Sequence, residues 1–140
     1  MHQRTVASLE GWGLLPLRVA VGAVFLMHGG QKLFVYGLAG TEGAMAQMGI
    51  PLPQVAAIVA TAVEFLGGLA ILLGILARWA GVLLAIEMAV AILAVRAKGG
   101  FFAPSGFEYE FTLFGAALTL AALGSGGASL DRALGRPRPG

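Results

Sequence analysis

The side chains able to do chemistry in this chain are few, and most interrupt long apolar runs. Arg18, His28 and Lys32 share one run, Glu64 and Glu87 each stand alone in another, and Glu108 and Tyr109 open a fourth. His28 is the candidate proton carrier, because imidazole changes charge near neutrality. It precedes Gly29-Gly30 and stands one turn before Lys32. Lys32 and Glu64 complete a candidate catalytic group for proton transfer. Arg18, Glu87, Glu108 and Tyr109 are candidates for binding a substrate. Depth along the chain pairs Arg18 with Glu87, and Glu64 with His28 or Lys32. Plainer roles stand beside these. An Arg–Glu pair can simply fix helix register. Lys32 can snorkel to an interface, and Glu108 and Glu110 can complement a helix dipole.

Other chemistries find no ligands. The chain has no cysteine, which excludes disulfides, thiol redox steps, iron–sulfur clusters and Cys-bound zinc. His2 and His28 are the only histidines, and His2 lies at the terminus. No Glu-x-x-His or His-x-x-x-His spacing occurs, so no haem or metal is expected. No glycine-rich loop follows a strand pattern, so no flavin or nicotinamide site is expected either.

The elements that must carry these residues are membrane helices. Of 140 residues 58% are hydrophobic and 11% charged, against about 25% charged in an ordinary globular chain, and the mean hydropathy is +0.86. That excludes a soluble enzyme and a disordered tail. The net charge of +2 forms no stripe to meet a phosphate backbone, so no nucleic-acid partner is expected. A span needs about 20 mostly apolar residues. The expected fold is all-α, a single membrane domain forming an integral four-helix bundle, with helices at about 14–35, 54–77, 79–97 and 109–124 and a solvated basic tail at 125–140. The fourth apolar stretch is short, about 13 residues, so a re-entrant segment competes with a span there. Gly37 to Gly49 reads as a glycine-rich link, Leu76-Ala77-Arg78 as a tight hairpin, and Lys98-Gly99-Gly100 as a helix end.

On a helix of 3.6 residues per turn, Gly22, Phe25, Gly29 and Lys32 fall within about 40° of Arg18, and His28 within about 80°. That polar face must look into the bundle. Gly22 with Gly29, and Gly67 with Gly74, form stripes that let backbones approach. The first helix is too long for a signal peptide's apolar region and lacks a cleavage site. Arg4, Arg78, Arg132, Arg136 and Arg138 share one side, against Lys32, Arg96 and Lys98 on the other, so both termini are expected in the cytoplasm.

Three motifs carry a resemblance. Leu17-Arg18-Val19 with Phe25-Leu26-Met27-His28-Gly29-Gly30-Gln31-Lys32-Leu33-Phe34 resembles the first-helix signature of the DoxX family. Val63-Glu64-Phe65-Leu66-Gly67-Gly68-Leu69, with Gly74 and Arg78, resembles the second. Gly106-Phe107-Glu108-Tyr109-Glu110 leading to Ser129-Leu130-Asp131 resembles the last. Ser105 departs from the family's Gly-Gly-Phe pattern. The resemblance covers about Leu14 to Asp131. It implies a small four-helix protein of the cell inner membrane, in a family named for a subunit of a membrane thiosulfate:quinone oxidoreductase.

Quinone is the cofactor this leads us to expect. A quinone headgroup needs proton and hydrogen-bond partners in an apolar slot, which His28, Lys32, Glu64 and Glu108-Tyr109 could supply, with Phe25, Phe65 and Phe107 flanking the ring. Electrons would come from redox protein subunits. The alternatives are a scaffold for such partners, with the basic tail as its dock, and a small-molecule carrier working as a homo-oligomer.

Overall fold

The structure, a computed structural model, describes residues 2–136, with side chains described from Gly11 onward. All regular elements among them are helical: α1 (His2–Gly30), α2 (Gly37–Gln47), α3 (Pro53–Leu73), α4 (Ala77–Ala91), α5 (Glu108–Leu123) and the short α6 (Leu130–Ala133). Wider π-helical turns extend α1 through Gln31–Val35 and α4 through Ile92–Arg96, and a 3₁₀ turn at Ala97–Gly99 closes α4. Pro53 opens α3, where its missing N–H costs nothing.

Three helical stretches are long and apolar enough to cross a bilayer: Gly11–Val35, Pro53–Leu73 and Ala77–Gly99. At 1.5 Å per residue, the 21 residues of α3 span about 31 Å, the thickness of a hydrocarbon core. The 16 residues of α5 span only about 24 Å. Only 28% of each of the three apolar windows is buried within the protein. Val19, Met27, Ile58, Leu66, Leu83, Ile86 and Leu93 point outward. In water such a belt would be an aggregation surface; in lipid it is the outer wall.

α1 packs along α3, α3 against α4, α4 along α5, and α5 touches α1 over a short stretch. Val21 and Phe25 of α1, Ile71 of α3, Leu84 and Met88 of α4, and Leu113, Ala117 and Leu120 of α5 meet in one core. The α1–α3 contact is close because side chains are missing from it. A Cβ on Gly29 would collide with the Phe65 backbone, and one on Gly68 with the Leu26 backbone. Gly68 is thus the partner of Gly22, while Gly29 seats the Phe65 backbone. Gly67 instead faces the Leu84 side chain, and Gly74 ends α3 in a left-handed conformation, φ +68°.

The glycine-rich link holds a helix. α2 buries Thr41 and Met45 against the ends of α1 and α3. The hairpin falls two residues earlier than expected, at Gly74-Ile75-Leu76, with Ala77 and Arg78 already helical. The tail also differs: residues 125–136 fold back onto the hairpin, where the Asp131 N–H donates to Gly74 O at 3.1 Å and the Leu76 N–H to Asp131 Oδ2 at 2.9 Å. Arg138 and the side chains of His2 and Arg4 lie outside the described residues.

Candidate functional site

Arg18 shows how far a charge can be from its expected partner. It is 1% exposed, and it makes no pair with Glu87. Its Nε donates to Ile71 O and its Nη2 to Leu72 O, both at 3.0 Å. Its Nη1 donates to Ser125 O at 2.8 Å and to Ala128 O at 2.5 Å. The guanidinium therefore caps the C-terminal carbonyls of α3, where positive charge complements the dipole, and ties the C-terminal segment to the bundle. Glu87 lies ten residues into α4, about 15 Å from this end. The error was one of depth: Arg18 is level with the hairpin glycine Gly74, not with mid-helix.

Lys32, Glu64 and Glu87 gather away from this end. Lys32, held by the π-helical turn after α1, donates its Nζ proton to Glu64 Oε2 at 2.5 Å. The side chains are 22% and 8% exposed, so the pair is largely desolvated. Glu64 sits on the buried face of α3 with Thr61, Gly68 and Ile71. Glu87, from α4, lies within electrostatic range of both Glu64 and Lys32, and its buried Oε2 has no hydrogen-bond partner. Thr61 Oγ1 is buried and unpartnered as well. Such orphaned groups usually cost about 1–3 kcal/mol each, and a ligand bringing polar groups would recover it. Glu64 and Glu87 form no metal cage, since no three His, Asp or Glu residues cluster suitably among the described residues.

His28 stands at the edge of this group. Its Nδ1 lies 2.8 Å from Val24 O, and a carbonyl only accepts, so Nδ1 carries a proton and Nε2 is the free position. The ring is exposed and tilted 40° against Tyr109, centroids 6.2 Å apart. Tyr109 is 44% exposed. The two rings thus mark the thinly packed α1–α5 seam, which is open to lipid.

Four remaining candidates take other places. Phe25, at 1% exposure, is sealed in the core and lines no slot. Glu108 Oε1 accepts the Ala103 N–H at 2.8 Å, closing the loop before α5. Phe107 stacks edge-on with Phe101 and Phe111, centroids 5.4 and 6.3 Å away. Phe65 instead meets Phe34, 5.9 Å away.

Sequence reading missed two ion pairs and two helices, and one of each bears on this region. Arg96 Nε meets Glu110 Oε1 at 3.0 Å and donates through Nη1 to Pro104 O, joining the ends of α4 and α5. Glu110 is buried, with its Oε2 unpartnered. The only signal was an acid three residues into a helix start, which reads equally well as dipole compensation. The helix is α2, whose Thr41 Oγ1 donates to Gly37 O at 3.0 Å and reaches toward Lys32 O at 3.4 Å, steadying the turn that carries Lys32.

The fold and its buried ion pair define a small all-helical membrane protein in which three chain segments share a polar interior near one end. The chain belongs to the DoxX family, whose model matches residues 13–97. Its relatives agree. One, in Bacillus subtilis, bears the name "Putative oxidoreductase CatD" and is 36% identical over 120 residues, 85% of this chain and 84% of that one. The inner membrane protein YphA of Escherichia coli is 34% identical over 125 residues, 85% and 88% of the two chains. An uncharacterized membrane protein of Mycobacterium tuberculosis is 34% identical over 131 residues, 86% and 80%. No solved structure matches the chain.

Proposed function

We propose that this chain is a four-span protein of the cell inner membrane, both termini cytoplasmic, that binds a quinone headgroup between α1, α3, α4 and α5 as a subunit or accessory of a membrane redox system. The observation that carries the reading is the Lys32–Glu64 pair beside Glu87, whose buried carboxyl oxygen has no partner. A quinone offers two carbonyl acceptors and, reduced, two hydroxyl donors. Lys32 can donate to a carbonyl, and Glu87 can accept from a hydroxyl. His28 Nε2 and Tyr109, at the lipid-facing seam, stand where a headgroup would slide in from the bilayer and where protons would leave. Reduction of a quinone takes two electrons and two protons. These residues handle only the protons; the electrons belong to a partner subunit, since the chain has no cysteine for thiol or iron–sulfur redox chemistry. The oxidoreductase name of the Bacillus relative points the same way.

Binding of a short-chain ubiquinone analogue to the full chain in lipid nanodiscs, measured by photoaffinity labelling, tests this. Labelling should saturate and should weaken at least tenfold in a Lys32→Met/Glu64→Gln variant that melts normally. Folded wild-type protein that takes up no quinone and supports no quinol oxidation with any co-purifying partner would sink the reading.

A further inference from the structure

At the Arg18 end of the bundle an open groove of about 780 Å³ lies between the hairpin, the end of α5 and the folded-back C-terminal segment. Its walls are of two kinds. Leu76, Trp79 and Leu123 are apolar and outward-facing, exposed by 50, 70 and 60%. Arg78, Arg132 and Arg136 are basic. The balance of charge here is unusual. Asp131 is the acid lining the groove, and its oxygens are already engaged: Oδ1 by Arg136 at 3.0 Å, Oδ2 by the Leu76 N–H at 2.9 Å and more distantly by Ser125 Oγ at 3.3 Å. Arg78 and Arg132 have no carboxylate partner among the described residues, and the buried Nε of Arg78 has no acceptor. Arg78 also sits in the first turn of α4, which holds no acid, so the helix dipole adds to the unmet positive charge. Two free guanidiniums can clamp a phosphate, each through two parallel N–H donors. Trp79 beside them is the residue type that settles at headgroup depth.

We propose that this groove is a binding site for the phosphate of an anionic phospholipid, with the arginines on the headgroup and Leu76, Trp79 and Leu123 along the start of the acyl chains. A lipid, not a soluble phosphate, fits because one wall of the groove is apolar and continuous with the outer wall of α4 and α5. The site is independent of the quinone reading, since it lies at the other end of the molecule from Lys32 and Glu64.

The test uses the full chain in liposomes of phosphatidylcholine with spin-labelled phosphatidylglycerol or spin-labelled phosphatidylcholine as probe. The motionally restricted fraction should favour phosphatidylglycerol by more than about tenfold. Arg132→Gln, at an exposed position that leaves the fold alone, should weaken this preference by about fivefold. The Arg78→Gln/Arg132→Gln pair should abolish it. Lys98→Gln, at the opposite end, should leave it unchanged. Equal restriction of the two lipids overturns the proposal, as does a preference unmoved by Arg132→Gln or weakened as much by Lys98→Gln. Displacement of the labelled lipid by millimolar inorganic phosphate would also overturn it, showing a site for the free anion.

Discussion

Arg18 and the Lys32–Glu64 pair bury charge in opposite ways, and their variants should fail differently. Arg18→Ala removes the guanidinium donors from four carbonyls, of which Ile71 O keeps the Gly74 N–H. At about 1.5–3 kcal/mol per charged hydrogen bond, we expect little folded protein on extraction. Arg18→Lys, with three donors in place of five, should recover part of the yield. Lys32→Met alone strands the Glu64 carboxylate and should cost about 3 kcal/mol, visible as a lower melting temperature in detergent. Lys32→Met/Glu64→Gln removes both charges and should restore most of it. If the double variant melts as low as the single one, desolvation of the pair is not what holds this region. The Lys32–Glu64 proximity was legible in the sequence, because two opposite charges in apolar runs have few places to go. The bonds of Arg18 were not. Its partners are main-chain carbonyls, which every residue has, so nothing in the side-chain pattern marked Ile71, Leu72, Ser125 or Ala128.

Among the elements, the tightest seam is α1 against α3, and it depends on absent side chains. Gly29→Leu and Gly68→Leu would drive atoms into the Phe65 and Leu26 backbones and should prevent a stable fold, read as loss of a monodisperse peak on size-exclusion chromatography. Gly115, mid-way along α5, has open space around it. There Gly115→Ala should raise thermal stability by up to about 1 kcal/mol through helix propensity alone. The three long helices were legible from hydropathy because lipid demands a long apolar run and little else produces one. α2 was not. Gly37, Gly40 and Gly43 argue against a helix, and what holds it is the packing of Thr41 and Met45 onto its neighbours. The four-residue α6 was equally hidden, since its cap from Ser129 serves a segment that only tertiary contacts order.

For the whole molecule, the question is how many times the chain crosses the bilayer. The absence of cysteine makes labelling free of background. With a membrane-impermeant maleimide on intact spheroplasts, Gly43→Cys and Gly100→Cys should react directly. Arg136→Cys should react only after permeabilisation. If Arg136→Cys reacts in intact spheroplasts while Gly43→Cys does too, α5 does not cross and the four-span reading fails. The charge bias behind the proposed orientation was readable from the arginines alone. The groove between hairpin and tail was not, because it needs Arg78 and Arg132, 54 residues apart in sequence, at one end of the bundle.

The clamp at Arg18 also sets an order of events during synthesis. Arg18 enters the membrane with the first helix, yet two of its four acceptors, Ser125 and Ala128, follow it by 107 and 110 residues. At about 5–20 residues per second, the ribosome delivers them on the order of ten seconds later. Until then the guanidinium is only half satisfied, and the bundle cannot close at that end. A chain released early, short of Ser125, carries this defect permanently and within its first helix. A stretch made more than a hundred residues later is therefore what completes the burial of a charge in α1.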